Sequence, residues 1–374
     1  MTTLLNHHPV YRLHRYILYI DLPLFLGLFT LLSFGLIILY SASHQNTHMI
    51  LQQSLRIMLA IIVALGFAAI PPHKYKCWSP WIYGVGLALL ILVMIMGKIG
   101  KGAQRWLDIG IFRFQPSEIM KLAIPMMAAW YLNDKPSPLS LKDFLYACAL
   151  VFIPAFLIAK QPDLGTAILV VAAGGSAIFI AGIRFRWIVY LLSTIAILMP
   201  MLWRVLHDYQ KQRILTLLHP ENDPLGSGYH IIQSKIAIGS GGLWGKGWLN
   251  GSQSHLNFLP EHATDFIFAV SGEEFGLLGT TVLLCIIAGI TLRSLYIAQK
   301  AQTNFTRLLA GSLTMSFFVS AFVNMGMVMG ILPVVGIPLP LVSYGGTAML
   351  TFLASFGILM SISTHKILFA ARPM

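Results

Sequence analysis

The sequence predicts an all-α integral membrane protein, a single polytopic domain over residues 1–374. Its composition, its long apolar runs and the lack of strand-like alternation lead to this together. Hydrophobic residues make up 57% of the chain and charged ones only 10%, whereas about a quarter of a soluble domain is charged. A helix needs roughly 20 mostly apolar residues to cross about 30 Å of hydrocarbon. No Asp, Glu, Lys or Arg occurs from Cys77 to Gly97, from Leu164 to Ile183, or from Leu308 to His365, the last stretch being long enough for two crossings. A lipid-embedded β-barrel would instead alternate apolar and polar residues in short segments.

Apolar runs between polar breaks predict ten transmembrane helices, near 18–40, 51–71, 79–97, 117–132, 142–159, 165–182, 187–204, 265–292, 307–331 and 346–367. One side of this arrangement receives Arg12 and Arg15, Lys74 and Lys76, Lys135 and Lys142, Arg184 and Arg186, Arg293, Lys300 and Arg307, then Lys366 and Arg372. Opposite lie segments 41–50 and 332–345, which hold no Lys or Arg. The positive-inside rule then makes both termini cytoplasmic. A long periplasmic loop, about 205–264, joins helices 7 and 8. The first apolar run is full length and has no small-residue cleavage motif, so it is expected to remain as an anchor. The net charge of +12 follows from this placement, and no soluble basic segment suggests nucleic acid. Cys77, Cys148 and Cys285 are far apart in or beside apolar spans and read as core residues.

The acids are distributed unevenly. Asp134 and Asp143 fall on the cytoplasmic side and Asp21 opens the first span. Asp108, Glu118, Asp163, Asp208, Glu221, Asp223, Glu261, Asp265, Glu273 and Glu274 fall in outer loops or the outer halves of helices. Ionisable groups within a membrane are costly and usually face a polar cavity. In "QPSEIMK", residues 115–121, Pro116 suits a helix start and Ser117 a cap. Glu118 and Lys121, three apart, share a helix face. They read either as a structural ion pair or as the polar wall of an outward cavity, with Lys121 available to phosphate.

In "LPEHATDFIFAVSGEEFG", residues 259–276, Asp265 is expected in the first turn of the eighth span. The helix dipole there favours a carboxylate, and an ionised aspartate at the membrane boundary is also what a general base requires. Glu273, eight residues on, would lie about 12 Å deeper on a similar face. Cations in the outer loop 98–116 (Lys98, Lys101, Arg105 and Arg113) suit an anionic head group.

Other features read more plainly. The glycine-rich run "GSGGLWGKGWLNG", residues 239–251, fails the P-loop pattern at Ser240 and Gly247 and reads as a flexible or re-entrant loop. "PVVGIPLPLVSYGG", residues 333–346, is expected to be non-helical and to line a cavity or lie buried in protein. Gly326 and Gly330 suggest close helix packing. His255 and His262 match no zinc spacing and read as loop histidines.

Four motifs in order, "RWLDIGIFRFQPSEIMKLAIP", "QPDLGTA", "NGSQSHLNFLPEHATDFIFAVSGEEFG" and "GILPVVGIPLPLVSYGG", resemble the SEDS family (shape, elongation, division and sporulation). The run "NGSQSHLNFLPE" before "TDFIFAV" favours its elongation branch over its division branch. The resemblance spans nearly the whole chain. It implies a bacterial inner-membrane glycosyltransferase that polymerises lipid II. By the same likeness Asp265 matches the family's essential aspartate, Glu118 and Lys121 its polar cavity residues, and Arg105 and Trp106 the motif beside that cavity. His262-Ala263 stands where many members carry a basic residue. The implied partners are an elongation-specific class B penicillin-binding protein, other elongation-complex membrane proteins and membrane lipid.

On this reading Asp265 takes the proton from the acceptor hydroxyl and undecaprenyl diphosphate leaves. Lys121, Arg105, Arg113 or a divalent cation (Mg2+ or Mn2+) would stabilise the leaving charge, with no nucleotide required. Glu273 is a further candidate for substrate binding. A lipid II flippase and a non-catalytic scaffold are the alternative readings. A translocation path should carry ionisable residues through its full depth or repeat-related broken helices. The outward clustering of the acids, with no internal repeat, favours the enzyme.

Overall fold

A computed structural model describes residues 19–100, 103–108, 113–205, 208–223, 226–256, 258–259 and 261–365. The apolar runs fold as α1 (Leu22–Ala42), α2 (Thr47–Ala69), α3 (Pro72–Met96), α4 (Pro116–Leu132), α5 (Leu141–Lys160), α6 (Leu164–Gly182) and α7 (Phe185–Val205). The segment after α7 holds α8 (Asp208–Leu218), a 3-10 turn at Pro220–Asn222, α9 (Ser227–Gly241) and the short α10 (Ser252–His255). Then come α11 (Ile267–Gln299), α12 (Asn304–Val328) and α13 (Thr347–Thr364). Among the described residues, eight helices are long and apolar enough to cross a membrane: α1, α2, α3, α5, α6, α11, α12 and α13. The shorter α4 has 17 residues, with Glu118 in its first turn. The terminal cations Arg12, Arg15, Lys366 and Arg372, and Lys101 in the outer loop, lie outside the described residues.

Local chemistry starts the helices where the chain leaves polar sequence. Asp21, Asn46, Ser140 and Asp163 each accept a backbone N–H of the first turn they precede, at α1, α2, α5 and α6. Thr303 and Thr306 form a reciprocal capping box at α12. The expected cap at α4 is different. Gln115 occupies that position without a capping bond, its amide donating instead to Asp163 Oδ2 at 2.9 Å; Pro116 is the first helical residue, and the Ser117 hydroxyl is buried without a hydrogen-bond partner.

The packing is graded from centre to rim. The apolar spans of α12 and α13 are 78% and 72% buried, whereas that of α2 is 17% buried. α13 packs on α2, α12 on α6 and α11, and α11 on α1 and α9. Gly357 lets α13 approach α2 closely, since a Cβ there would meet the Ala64 carbonyl oxygen at 2.3 Å. Large apolar side chains remain exposed around the rim, among them Leu26, Phe29, Leu55, Ile62, Trp81 and Ile95. So large an apolar surface requires lipid rather than water.

A bidentate ion pair fastens one end of the bundle. Arg293 of α11 donates from Nε to Asp21 Oδ1 at 3.0 Å and from Nη2 to Oδ2 at 2.8 Å, while Ser363 of α13 donates to Oδ2 at 2.6 Å. Burial would raise the Asp21 carboxyl, but the bonds from Arg293, Ser363 and Leu24 hold it below the usual carboxylate range. Asp21→Ala removes the α1 cap and the shared acceptor of the partly exposed Arg293 and of Ser363. It is expected to cost about 3 kcal/mol, read as a lower unfolding temperature in detergent.

Three departures from the sequence expectation concern backbone. Residues 98–114 include a small antiparallel meander, β1 (Lys98–Gly100), β2 (Ala103–Asp108) and β3 (Arg113–Phe114), ordered β1-β2-β3 with Lys98 opposite Trp106. Gly326 and Gly330 do not form a helix-helix face. Gly326 faces Leu332, and Gly330 lies beyond α12 with φ +68°, against the stem of Lys235. The third is a break in α11, where Gly276 takes φ 63° and ψ −159°. There the glycine-rich segment after α9 docks into the helix. Lys246 and Gly247 donate to the carbonyls of Glu273 and Glu274, and Leu277 and Leu278 donate to those of Gly242 and Leu243. A Cβ on Gly276 would meet the Gly245 nitrogen at 2.3 Å. The glycine-rich run 239–251 therefore includes a segment whose backbone pairs with the broken span.

Candidate active site

The turn bearing Asp265 is built by three neighbouring elements. Helix α11 begins at Ile267, with Phe266 at its cap, so Asp265 sits just before the first turn rather than within it. Asn324 of α12, fully buried, donates to the Asp265 carbonyl at 2.8 Å and to that of Ile337 at 2.7 Å. Ser343 donates to the Thr264 carbonyl at 2.6 Å, and the Tyr344 amide to that of Ala263 at 2.9 Å. The Pro/Gly-rich segment 332–346 is thus a clamp around residues 263–265. At Gly336 a Cβ would come within 3.5 Å of Asp265 Oδ2, so the carboxylate faces a stretch of backbone without a side chain.

Polar residues of α2 hold the other side of the clamp. Gln52 accepts from the Tyr344 hydroxyl at 2.8 Å, and the buried Gln53 donates to the Ser343 carbonyl at 3.3 Å. Arg56, one turn on, lies over the Tyr344 ring at 4.6 Å. Arg56 also borders a cavity of about 680 Å³ between α2, α3, α4 and α13. Its walls are largely apolar, with Leu59, Trp78, Ile119 and Leu350, and its polar members include Glu118 and Thr347. Sequence reasoning passed over Arg56, although a cation inside an apolar span is itself a signal of function.

Glu118 and Lys121 do meet. Lys121 donates to Glu118 Oε1 at 2.6 Å, and both residues are 6% exposed. The second carboxylate oxygen of Glu118 is buried without a hydrogen-bond partner, on a residue that lines the cavity. Lys121 also approaches the ring of Phe352 at 5.8 Å.

The remaining candidates are used differently. Arg105, on β2, donates from Nε to the Gln161 carbonyl at 3.1 Å and from Nη2 to that of Pro162, with Nη1 at 3.9 Å from Asp163. It holds the α5–α6 turn, the "QPDLGTA" motif, beside the meander. Trp106 follows it, half-buried. Arg113 is in β3, and its side chain, like those of Asp108 and His255, is outside the described residues.

Glu273 is fully buried and its carboxylate is taken up by the glycine-rich segment and α10. Lys246 Nζ donates at 2.7 Å, Ser252 Oγ at 3.0 Å and the Gln253 amide at 3.1 Å. Ser41 of α1 holds Glu274. Glu273→Gln is expected to weaken this latch while α11 stays folded. Hydrogen exchange should then quicken at the amides of Lys246, Gly247 and Gln253.

Two histidines flank the turn. His262 bonds the Leu259 carbonyl at 2.8 Å and stands edge-on to His44 at 5.3 Å. His230 of α9 stacks on Phe266 at 5.5 Å, and burial pulls its imidazole below the ordinary value, against the pull of Glu261 and Asp223. It is therefore neutral near pH 7. Among the described residues, no group of three or more His, Cys, Asp or Glu could hold a metal ion.

An α-helical membrane bundle with a clamped aspartate and a largely apolar cavity defines a class of protein, and comparison with known sequences places the chain within it. It belongs to the SEDS family, the cell cycle proteins FtsW, RodA and SpoVE, whose family model matches residues 13–367. It is 51% identical over 349 residues to the peptidoglycan glycosyltransferase MrdB of Escherichia coli strain K12, covering 93% of this chain and 94% of that protein. It is 37% identical to a probable peptidoglycan glycosyltransferase FtsW of Trichlorobacter lovleyi, over 92% of this chain and 93% of that one. A chain from a structure of a peptidoglycan synthase complex, described as coordinating polymerization and crosslinking, superposes with a TM-score of 0.81 at 29% identity, covering 92% of this chain and 97% of that one. The rod shape determining protein RodA of Thermus thermophilus shares the fold, with a TM-score of 0.70 at 24% identity over 92% of this chain and 96% of that one.

Proposed function

We propose that the chain is a peptidoglycan glycosyltransferase that polymerises lipid II. The observation that carries the reading is the clamp itself. Segment 332–346 holds the Asp265 turn, and Gly346, at its end, borders the largely apolar cavity with Arg56 and Glu118. A polyprenyl chain needs an apolar groove open to lipid, and a diphosphate needs cations where that groove ends. Leu59, Trp78 and Leu350 supply the first; Arg56 supplies the second, with Lys121 held behind Glu118 of the same wall.

Asp265 accepts the proton of the acceptor's GlcNAc 4-hydroxyl as that oxygen bonds to the anomeric carbon of the donor MurNAc. The bond from that carbon to the diphosphate oxygen breaks, and undecaprenyl diphosphate departs with the electron pair. Arg56 and Lys121 act on the growing negative charge, where fixed cations in a low-dielectric site are most effective. Arg105 keeps the α5–α6 turn in place, Trp106 follows it on β2, and Glu273 organises the glycine-rich segment. Asp265 is the carboxylate of this turn that would help to hold a divalent cation, Mg2+ or Mn2+. That ion would neutralise diphosphate charge.

The protein resides in the bacterial inner membrane with ten spans, α4 and α7 joining the eight most apolar helices. Both termini are cytoplasmic and Asp265 faces the periplasm. It works beside a class B penicillin-binding protein, which cross-links the strand. The test is gel analysis of lipid II products from the purified protein, with and without that transpeptidase, beside a liposome assay of labelled lipid II scrambling. Polymer without scrambling supports the enzyme; scrambling without polymer replaces it by a flippase.

A further inference from the structure

Two parts of the proposed site come from segments far apart in the chain. Asp265 lies just before α11, and Arg56 lies in α2 on the wall of the large cavity. A base and a cation that neutralises the leaving group must act on one donor together, so their separation has to be set. Tyr344 touches both.

Arg56 needs support from outside its own helix. Its long stem has many rotamers, and the guanidinium is placed by what it rests against. Among the described residues, no carboxylate lies within ion-pair distance of Arg56; Glu118, on the same cavity wall, is taken by Lys121 at 2.6 Å. The guanidinium lies instead over the Tyr344 ring, 4.6 Å from its centroid. Its stem runs beside the start of α13, where a Cβ on Gly346 would come within 3.6 Å of Arg56 Cδ and Nε. A ring face attracts the cation as a whole, so the fork of N–H donors can still meet phosphate oxygens.

The ring is itself held at two points. Gln52 and Arg56, four residues apart, share a face of α2, and that turn of helix spans the ring. Arg56 covers the face, while Gln52 accepts the hydroxyl at 2.8 Å. The buried Gln53 secures the backbone on either side of Tyr344, donating to the Ser343 carbonyl at 3.3 Å and accepting the Gly345 amide at 3.5 Å. In the other direction, the Tyr344 amide donates to the Ala263 carbonyl at 2.9 Å, two residues before Asp265. Tyr344 thus meets the cavity cation through its side chain and the Asp265 turn through its backbone.

On the reading of the chain as a lipid II polymerase, on which the inference rests, we propose that Tyr344 is a positioning residue. Its ring holds the Arg56 guanidinium in register with the Asp265 turn, so that base and cation reach the same donor. The backbone bond to Ala263 survives replacement of the side chain. Loss of the ring therefore acts through Arg56.

The test measures kcat and KM for lipid II polymerisation by the full-length protein in detergent. Tyr344→Phe keeps the ring face and is expected to stay within about threefold of the parent, whereas Tyr344→Leu should lower kcat by about tenfold. Combined with Arg56→Gln, Tyr344→Leu should cost no more than about twofold beyond Arg56→Gln alone, because the contact is already gone. The same cycle is read on undecaprenyl diphosphate bound to the protein, counted by native mass spectrometry, which needs no turnover. There Tyr344→Leu and Arg56→Gln should each weaken binding, the double variant no further than Arg56→Gln, and Tyr344→Phe little. A Phe variant as impaired as the Leu variant overturns the role of the ring. So does a Leu variant equal to the parent, or losses that multiply in the binding cycle. A parent protein that binds undecaprenyl diphosphate yet makes no polymer overturns the polymerase reading instead, and the binding cycle still decides whether Tyr344 acts through Arg56.

Discussion

Asp265→Asn or Asp265→Ala is expected to abolish lipid II polymerisation, lowering the rate by about 10²–10⁴-fold if the carboxylate acts as general base. The substitution removes the proton acceptor but little of the structure. The turn is fixed through backbone, by Asn324 on the Asp265 carbonyl, Ser343 on that of Thr264 and Tyr344 on that of Ala263. The variant should therefore insert, elute and unfold as the parent does while producing no glycan strands on a gel. Asn preserves the size of Asp and removes its charge, so it separates loss of the base from loss of packing. A well-folded Asp265→Ala protein that polymerises at the parent rate would remove this residue from the mechanism.

Single and double changes at Glu118 and Lys121 should diverge. Glu118→Gln or Lys121→Met leaves one buried charge without its partner, at a cost of about 3–5 kcal/mol. Both stability and polymerisation should fall. Glu118→Gln combined with Lys121→Met leaves no orphaned charge, so unfolding temperature should recover most of the loss. Polymerisation should not recover, because the free Glu118 oxygen beside the cavity and the Lys121 ammonium are both gone. A double variant as active as the parent would make the pair purely structural.

What the sequence shows and what it hides divide along physical lines. Hydropathy is a one-dimensional property, and the runs that became α1, α2, α6 and α13 are legible to within a few residues. The Glu118–Lys121 contact was legible too, because three-residue spacing fixes a helix face before any tertiary structure forms. Asp265 stood out in a segment whose residue types are expensive in a membrane. The rest depends on distant segments. Ser117 looked like a cap from its position, yet Pro116 starts the helix without it. Glu273 was placed on the face of Asp265 by helical spacing, but Asp265 precedes the helix and Glu273 turns to Lys246, Ser252 and Gln253. That partnership spans 20 residues or more and no local rule reveals it. The meander at 98–114 is short and set in polar sequence, where periodicity carries little signal. Arg56 was hidden by its neighbours, one cation in an otherwise apolar run, and only the Tyr344 ring and the cavity wall give it a setting.

The break at Gly276 also bears on the order in which the chain can be built. An unpaired backbone group in hydrocarbon costs several kcal/mol. Leu277 and Leu278 and the carbonyls of Glu273 and Glu274 pair with residues 242–247. Those residues leave the ribosome before α11 does, so their strand of amides and carbonyls is already waiting when the broken span emerges. Synthesis from the other direction would deliver the span first, with its gap open to lipid. The glycine-rich segment and the kinked helix are therefore one unit of biogenesis, and neither can be moved to another position in the chain without the other.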